Sequence, residues 1–411
     1  MRPTKAIIHL SSLEHNIAEI KKLLSRQTRL CVPVKADAYG HGAVQCSRKA
    51  LESGADCLGI ATVSEGVELR DAGIIAPVLL FSSPLGDEIS EVVSRNLTPF
   101  VFEPFCIRLL EEEAARRGKT ATVHLKVDTG MSRVGCRPED AASLARLIVQ
   151  CKHLKLGGMA THFAVSDSLE NNDEVFTHEQ FRRFTAAVAA VKREGVDPGI
   201  CHCANSSATL RYPETHLDMV RPGIMVYGCY PGDYRKGAPV LAEKHPVNLE
   251  PVMDVVTQIT AVKDIPLGTS VSYGRRWTSA ASARIATLPI GYADGLRRRL
   301  SLTGFVVAVG DKHCPVRGTI CMDQCMIDLT AAPDAAVGDK ATVFGAKCRG
   351  AIFDAGALGE LIGTIPYEIL TSMSRRVPRI YRQFTAEGYP GDLEPRPDRR
   401  NLHPVWGHSR C

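Results

Sequence analysis

RLCVPVKADAYGHGAVQCSRKALESG, residues 29–54, holds one complete unit of the architecture. It begins with β-favouring residues (Cys31, Val32, Val34) and runs into a lysine. A run of small residues follows, carrying Tyr39, Gly40, His41 and Gly42. A helical pattern then starts at Ala43 and is closed by Gly54. A lysine at the end of an apolar strand is costly to bury without a role, so Lys35 marks a place where chemistry is expected.

The strand-then-helix rhythm repeats on both sides of this stretch. Strand candidates are AIIHL, CLGIA, PVLLF, TPFVF, TVHLKVD, LKLGGMATHF, ICHCAN and LDMVRPG, besides RLCVPVKA. The helix after AIIHL is expected to be capped by Ser11 or Ser12 and to end near Arg26. Others are expected to end at Gly73 and to cover 86–95, EPFCIRLLEEEAARRG, about 138–151 and 176–194. Such alternation means parallel strands joined by right-handed crossovers. About eight units at this length fit a (β/α)8, TIM-like barrel better than an open sheet. The first domain is therefore expected over residues 1–235.

The rhythm breaks in YPGDYRKGAPVLAEKH, residues 230–245, where Gly and Pro are dense; it reads as a linker. Alternating apolar stretches follow, among them VMDVVTQITAVKDI, ARIATLPIGY and FVVAVGDKHCPVRGTI, with few helices before 354–362. They predict a second, mainly β domain over 246–382. Residues 383–411 are polar and proline-rich and read as an extension.

The bulk composition narrows the function classes. The chain has 411 residues, 45% hydrophobic and 23% charged, as expected of a soluble globular protein of two domains. Its charge of +5 is spread along the chain. The basic clusters at 275–276, 297–299, 375–376 and 379 read as solvated or phosphate-facing, and no nucleic-acid partner is expected. No apolar run reaches membrane-spanning length, and MRPTKAIIHLSSLEHN lacks the apolar core of a signal peptide. A cytoplasmic location and no membrane partner are expected. The fourteen cysteines have neither disulfide-framework nor zinc spacing, so they read as reduced thiols, and no metal site is expected.

In a barrel, functional groups collect where strands end. Lys35 and Tyr39 follow one strand; Lys126, Asp128 and Arg133 follow another, in LKVDTGMSRVG. His162 lies in GGMATHF. His202, Asn205 and Ser206 lie in CHCANSSATL, and Arg221 and Gly223 in MVRPGI. Taken singly, each has an ordinary structural explanation. Their joint fall on successive strand ends does not. A partly desolvated amine can form a Schiff base, and NSS and PGI supply small residues for close approach of a phosphate. Lysine, phosphate cradle and arginines together suggest pyridoxal phosphate.

These segments resemble the alanine racemase family. VPVKADAYGHGA looks like its cofactor-lysine motif, and the resemblance continues through LKVDTGMSRVG, THFA, HCANSSATL, DMVRPGIMVYG, VSYGRRW, LPIGYADGLRR, GTICMDQ and TIPYEIL. It spans roughly residues 5–381, in order. It implies a pyridoxal 5'-phosphate-dependent isomerase with a barrel and a β domain, interconverting L- and D-alanine and supplying D-alanine for peptidoglycan. It also implies a homodimer with shared active sites.

On this resemblance Lys35 would hold the cofactor and Tyr39, Ser206, Gly223, Ile224 and Tyr367 its phosphate, with His162 and Asn205 also at the cofactor. Arg221 would face the pyridine nitrogen. Arg133 and the partner's Met322 would meet the substrate carboxylate. Lys126 matches a lysine that is often carbamylated and then orients that arginine. Tyr273 would be a second catalytic base beside Lys35, contributed by the partner and supported by His162; Tyr292 would line the entrance.

The residue types suit racemisation. Removing the α-proton leaves a carbanion that a Schiff base spreads into the pyridine ring. An arginine at the ring nitrogen cannot accept a proton, so the sink stays weak and the α-carbon is quickly reprotonated. Arg275, Arg276 and Trp277 depart from the small or polar residues usual after SYG. Three alternatives are a racemase of this fold acting on serine or another amino acid, a non-catalytic cofactor carrier, and a basic amino-acid decarboxylase. VSYG and CMDQ argue against the carrier, and Arg221 against the decarboxylase.

Overall fold

The computed structural model describes residues 2–232, 238–345 and 351–382. The first strand, β1 (Lys5–His9), departs from the sequence expectation. It is not part of the barrel but pairs antiparallel with Met253–Gln258 and parallel with Arg379–Arg382 in the second sheet. The barrel takes the next eight: β2 (Arg29–Pro33), β3 (Cys57–Ile60), β4 (Val78–Leu80), β5 (Thr98–Val101), β6 (Ala121–Lys126), β7 (Leu154–Ala160), β8 (Ile200–His202) and β9 (Met219–Val220). They are parallel and run round in sequence order, with β9 beside β2. No ladder joins β8 to β9. Asp218 N–H donates to Cys201 O (3.1 Å) and Arg221 N–H to Ala204 O (2.9 Å), which nearly closes the ring.

The short strands are apolar because both faces are covered. Cys31, Cys57, Leu79, Phe100, Ala160 and Met219 form one interior layer. Cys57 Sγ lies 3.5 Å from Met219 Sδ, so these thiols act as packing groups. The described cysteines are all free.

The first helix, Leu10–Lys22, ends earlier than expected and has no side-chain cap. His9 stands at its N-cap, and Ser12 instead donates to Glu250 (2.9 Å). The long helix is Asn171–Arg193, beginning before the expected 176. Within the stretch read as a linker, Ala238–Lys244 is helical. The expected extension, 383–411, lies outside the described residues. No described helix is long and apolar enough to cross a membrane.

The second domain is mainly β. Its six-stranded sheet runs in the order Lys312–Pro315, Val306–Val309, Lys340–Phe344, Met253–Gln258, β1, Arg379–Arg382. A three-stranded sheet joins Ala261–Ile265, Ala283–Leu288 and Cys325–Asp328. β1 thus ties the start of the chain to the far domain. Buried His9 contacts Asp254 across this pairing at 2.8 Å. Two short helices, Ala355–Ile362 and Pro366–Thr371, close the domain; the second, not foreseen in the sequence, carries Tyr367.

Candidate active site

Lys35 leaves β2 at the barrel mouth. The next four residues, Ala36 to Tyr39, all have positive φ (52–54°) and form a left-handed turn. Each such residue other than glycine costs about 1–2 kcal/mol, so the surroundings must hold the turn. Glu65 accepts from Ala36 N–H (2.6 Å) and Asp37 from Ala43 N–H (2.8 Å). The His41 ring donates through Nδ1 to the carbonyls of Ala38 and Tyr39, both at 2.9 Å. The turn places a half-buried Lys35 amine and a buried Tyr39 ring at one mouth. Burial, then the Arg133 charge, lowers the Lys35 pKa, which favours the neutral, nucleophilic amine.

An anion cradle adjoins it. Asn205 caps the helix Ser206–Arg211, accepting from Ala208 N–H at 3.0 Å. Ser206 Oγ accepts from Gly223 N–H at 2.8 Å, where a 3-10 turn begins at Ile224. A Cβ on Gly223 would lie 2.5 Å from Tyr39 Oη, so any side chain there would have to displace the phenol. The Tyr39 and Tyr367 rings are 5.9 Å apart, and among the described residues neither hydroxyl has a hydrogen-bond partner. Burial raises both phenol pKa values, keeping both as donors. Two unpartnered hydroxyls, a serine and a glycine amide converge, which suits a phosphate group.

Arg221 lies buried at the floor. It donates to Thr161 O (2.9 Å), Cys203 O (3.2 Å) and His202 Nδ1 (2.6 Å), and reaches His162 Nδ1 at 3.4 Å. His202 Nε2 then lies 2.8 Å from His124 Nδ1. Arginine only donates, so His202 carries its proton on Nε2 and gives that hydrogen bond to His124. Burial first, then the Arg221 charge, pushes His124 down to about 4 and holds His162 and His202 well below the usual imidazole range. The guanidinium is therefore the charge of this group.

Lys126, at the end of β6, is buried and bonded to Val127 O (3.2 Å). Burial, then the Arg221 charge, lowers it to about 7. Arg133 is exposed, and its charge depresses Lys35, Lys126 and His162 together, which puts it at the same mouth.

Tyr273, Met322 and Tyr292 stand apart. They sit on the second domain, 72%, 52% and 42% exposed. They share one patch: Tyr292 N–H donates to Cys321 O (3.0 Å), Ala293 N–H to Met322 O (3.0 Å), and Thr319 Oγ1 to Tyr273 O (2.9 Å). Among the described residues no hydrogen bond, ion pair or ring contact joins this trio to the Lys35 group. Arg276 is exposed beside Tyr273, while Trp277 packs under Arg317 at 5.3 Å.

Several supporting residues escaped the sequence reading. Glu65 had a signal, because Thr62 and Glu65 form a capping box whose glutamate also reaches Ala36. Tyr227 stacks on Tyr39 (4.8 Å) and His41 (4.7 Å) and donates to Pro33 O; nothing local to it announces this. His124 sits inside β6 with no local sequence signal of its place in this chain of hydrogen bonds.

Residues 8–231 match the family description "Alanine racemase, N-terminal domain" and residues 252–381 "Alanine racemase, C-terminal domain". An alanine racemase of Treponema denticola is 46% identical over 389 residues, covering 94% of this chain and all of the relative. One of Methanococcus maripaludis is 41% identical over 380 residues, 92% of this chain and 98% of that one. Among solved structures, alanine racemase from D-cycloserine-producing Streptomyces lavendulae superposes with TM-score 0.86 at 34% identity, covering 94% of this chain and 98% of that one. The Bacillus anthracis alanine racemase with bound L-Ala-P gives TM-score 0.84 at 33% identity, covering 93% and 95%.

Proposed function

The chain belongs to the alanine racemase family, and from that premise we propose that it interconverts L- and D-alanine with pyridoxal 5'-phosphate held at the barrel mouth. The observation that carries this is the meeting of a desolvated lysine with a phosphate-type cradle. Lys35 would hold the cofactor covalently. Tyr39, Ser206, Gly223, Ile224 and Tyr367 would grip its phosphate, with Asn205 holding the cradle helix in place. When bound, the cofactor supplies an electron sink for the bond from the substrate α-carbon to its proton.

The chain's own groups then set the outcome. Arg221 would face the pyridine nitrogen and cannot accept a proton, so the sink stays weak and the α-carbon regains its proton. Lys35 would move the proton on one face of the substrate. Tyr273 of a second copy would move it on the other, supported by His162. Arg133 and the partner-borne Met322 would bind the carboxylate, and Tyr292 would narrow the entrance. A Lys126 neutral near pH 7 can take up carbon dioxide as a carbamate, whose negative charge would orient Arg133. The exposed Tyr273 patch, joined by no hydrogen bond, ion pair or ring contact to the mouth among the described residues, supports a homodimer with shared sites. The D-alanine would serve peptidoglycan synthesis in the cytoplasm.

The test is to give the purified protein L-alanine and cofactor and measure D-alanine. Lys35→Ala should abolish both the reaction and the absorbance of lysine-bound cofactor. Full activity in that variant would reject the assignment.

A further inference from the structure

Arg379 belongs to the last strand of the second domain, yet its Nε donates to Gly40 O at 2.9 Å, 339 residues earlier in the chain. Its other nitrogens donate to Ser374 O (2.6 Å), Val377 O (2.8 Å) and Met373 O (2.6 Å). One guanidinium thus fastens the end of the left-handed turn to the loop after helix Pro366–Thr371, the helix that carries Tyr367. The fit is close: a Cβ on Gly40 would lie 2.3 Å from Leu370 O. On its other side the turn is held by the bifurcated bond from His41, whose ring is fully buried and stacked on Tyr227. Of Ala36–Tyr39 only Asp37 is a residue type that tolerates positive φ, so a run of four such residues is held from outside.

We propose that Arg379 is a positioning residue for the cofactor lysine: by pinning Gly40 it maintains the left-handed turn that aims Lys35 and Tyr39 into one site. The second domain then does more than supply Tyr367 and the exposed tyrosines. It sets the geometry of the lysine in its own chain. This rests on the reading of Lys35 as the cofactor residue.

The molecule contains its own control. Arg70 also donates to four backbone carbonyls, those of Arg95 (2.9 Å), Ile74 (2.7 Å), Ala76 (2.8 Å) and Asn96 (3.1 Å), but it fastens the loops around β4 and β5, away from the turn.

The full-length apoprotein is titrated with pyridoxal 5'-phosphate, and amide exchange at residues 36–42 is followed without cofactor. Borohydride reduction of the wild-type complex must first label Lys35; label elsewhere rejects the Lys35 reading, whatever Arg379 does. With that in hand, Arg379→Lys should weaken cofactor binding about tenfold or more, the scale of a lost charged hydrogen bond. It should also speed exchange at His41 and Gly42. Guanidinium ion should restore part of the affinity of Arg379→Ala. Arg70→Lys should lower the melting temperature and leave cofactor affinity within about twofold.

Unchanged affinity and exchange in Arg379→Lys, or equal weakening by Arg70→Lys, overturns the proposal. If the Arg379 variants do not fold, His41→Leu disturbs the same turn from the barrel side, and His41→Asn returns a donor near Nδ1. Loss with leucine and recovery with asparagine supports the turn's role, and equal behaviour of the two overturns it.

Discussion

Arg221 and His202 meet guanidinium to imidazole, Nη1 to Nδ1, at 2.6 Å, and the donor can only be the arginine. The bond fixes a tautomer in His202, which passes its own N–H to His124 at 2.8 Å. Nitrogen-15 NMR should find both imidazoles neutral, protonated on Nε2, and unchanged down to about pH 5, since His124 lies near 4 and His202 well below its usual range. His124→Leu strands the His202 N–H in the core. It should cost about 1–3 kcal/mol, seen as a lower urea midpoint at constant slope.

Lys126 gives a pH signature. Its folded pKa is near 7 against 10.5 for an ordinary lysine. Between those values the unfolded chain binds the extra proton, so stability should rise with pH over that window and level off below 7, where the penalty is complete. Lys126→Met should flatten the rise. Labelled bicarbonate should give a carbamate carbon signal that strengthens above pH 7 and is absent in the variant.

Tyr273 is exposed in the single chain, so Tyr273→Phe should keep its fold and its cofactor. Racemisation should fall about 10²- to 10⁴-fold, as for loss of a positioned acid–base group. In deuterated water the loss should be one-sided: one alanine enantiomer keeps exchanging its α-proton through Lys35, while the other, L-alanine on the family resemblance, slows sharply. Equal slowing of both would remove Tyr273 as a base for one face.

Asp294 has no solvent exposure and is gripped by both terminal guanidinium nitrogens of Arg2, at 2.5 and 2.7 Å, with Gly291 N–H at 3.0 Å. Arg2→Met leaves that carboxylate with Arg376 at 3.4 Å and the amide. A loss of about 2 kcal/mol is expected, read by thermal unfolding. Tyr292 is two residues away, so the Michaelis constant should move with it.

The eight barrel strands were legible because short strands covered on both faces carry their burial in their own residues, as CLGI and VLL do. β1 was not, since KAIIH reads the same in either sheet; its place is decided by partners at 253–256 and 379–382. Ser12 is not the cap because the helix already begins at Leu10, which leaves Ser12 inside its first turn, where it donates to Glu250 far along the chain. Lys35, Lys126, His162, His202 and Arg221 stood out in the sequence because each sits at or just past the end of a barrel strand. The left-handed turn was not: only Asp37 in ADAY is a type that tolerates positive φ, and the rest depends on His41 and, in the proposal above, on Arg379 from the other domain. Placing Tyr273 and Met322 at a mouth not their own came from resemblance, since no local pattern encodes a second copy.

The central claim is that one site is built from two chains, Lys35 from one and Tyr273 from the other, and subunit mixing tests it directly. Lys35→Ala and Tyr273→Phe proteins, each nearly inactive alone, are mixed under conditions where exchange of labelled subunits is demonstrated. Random pairing makes half the dimers mixed, each with one intact site, so about a quarter of wild-type racemisation should return. No recovery despite proven exchange would contradict the shared site.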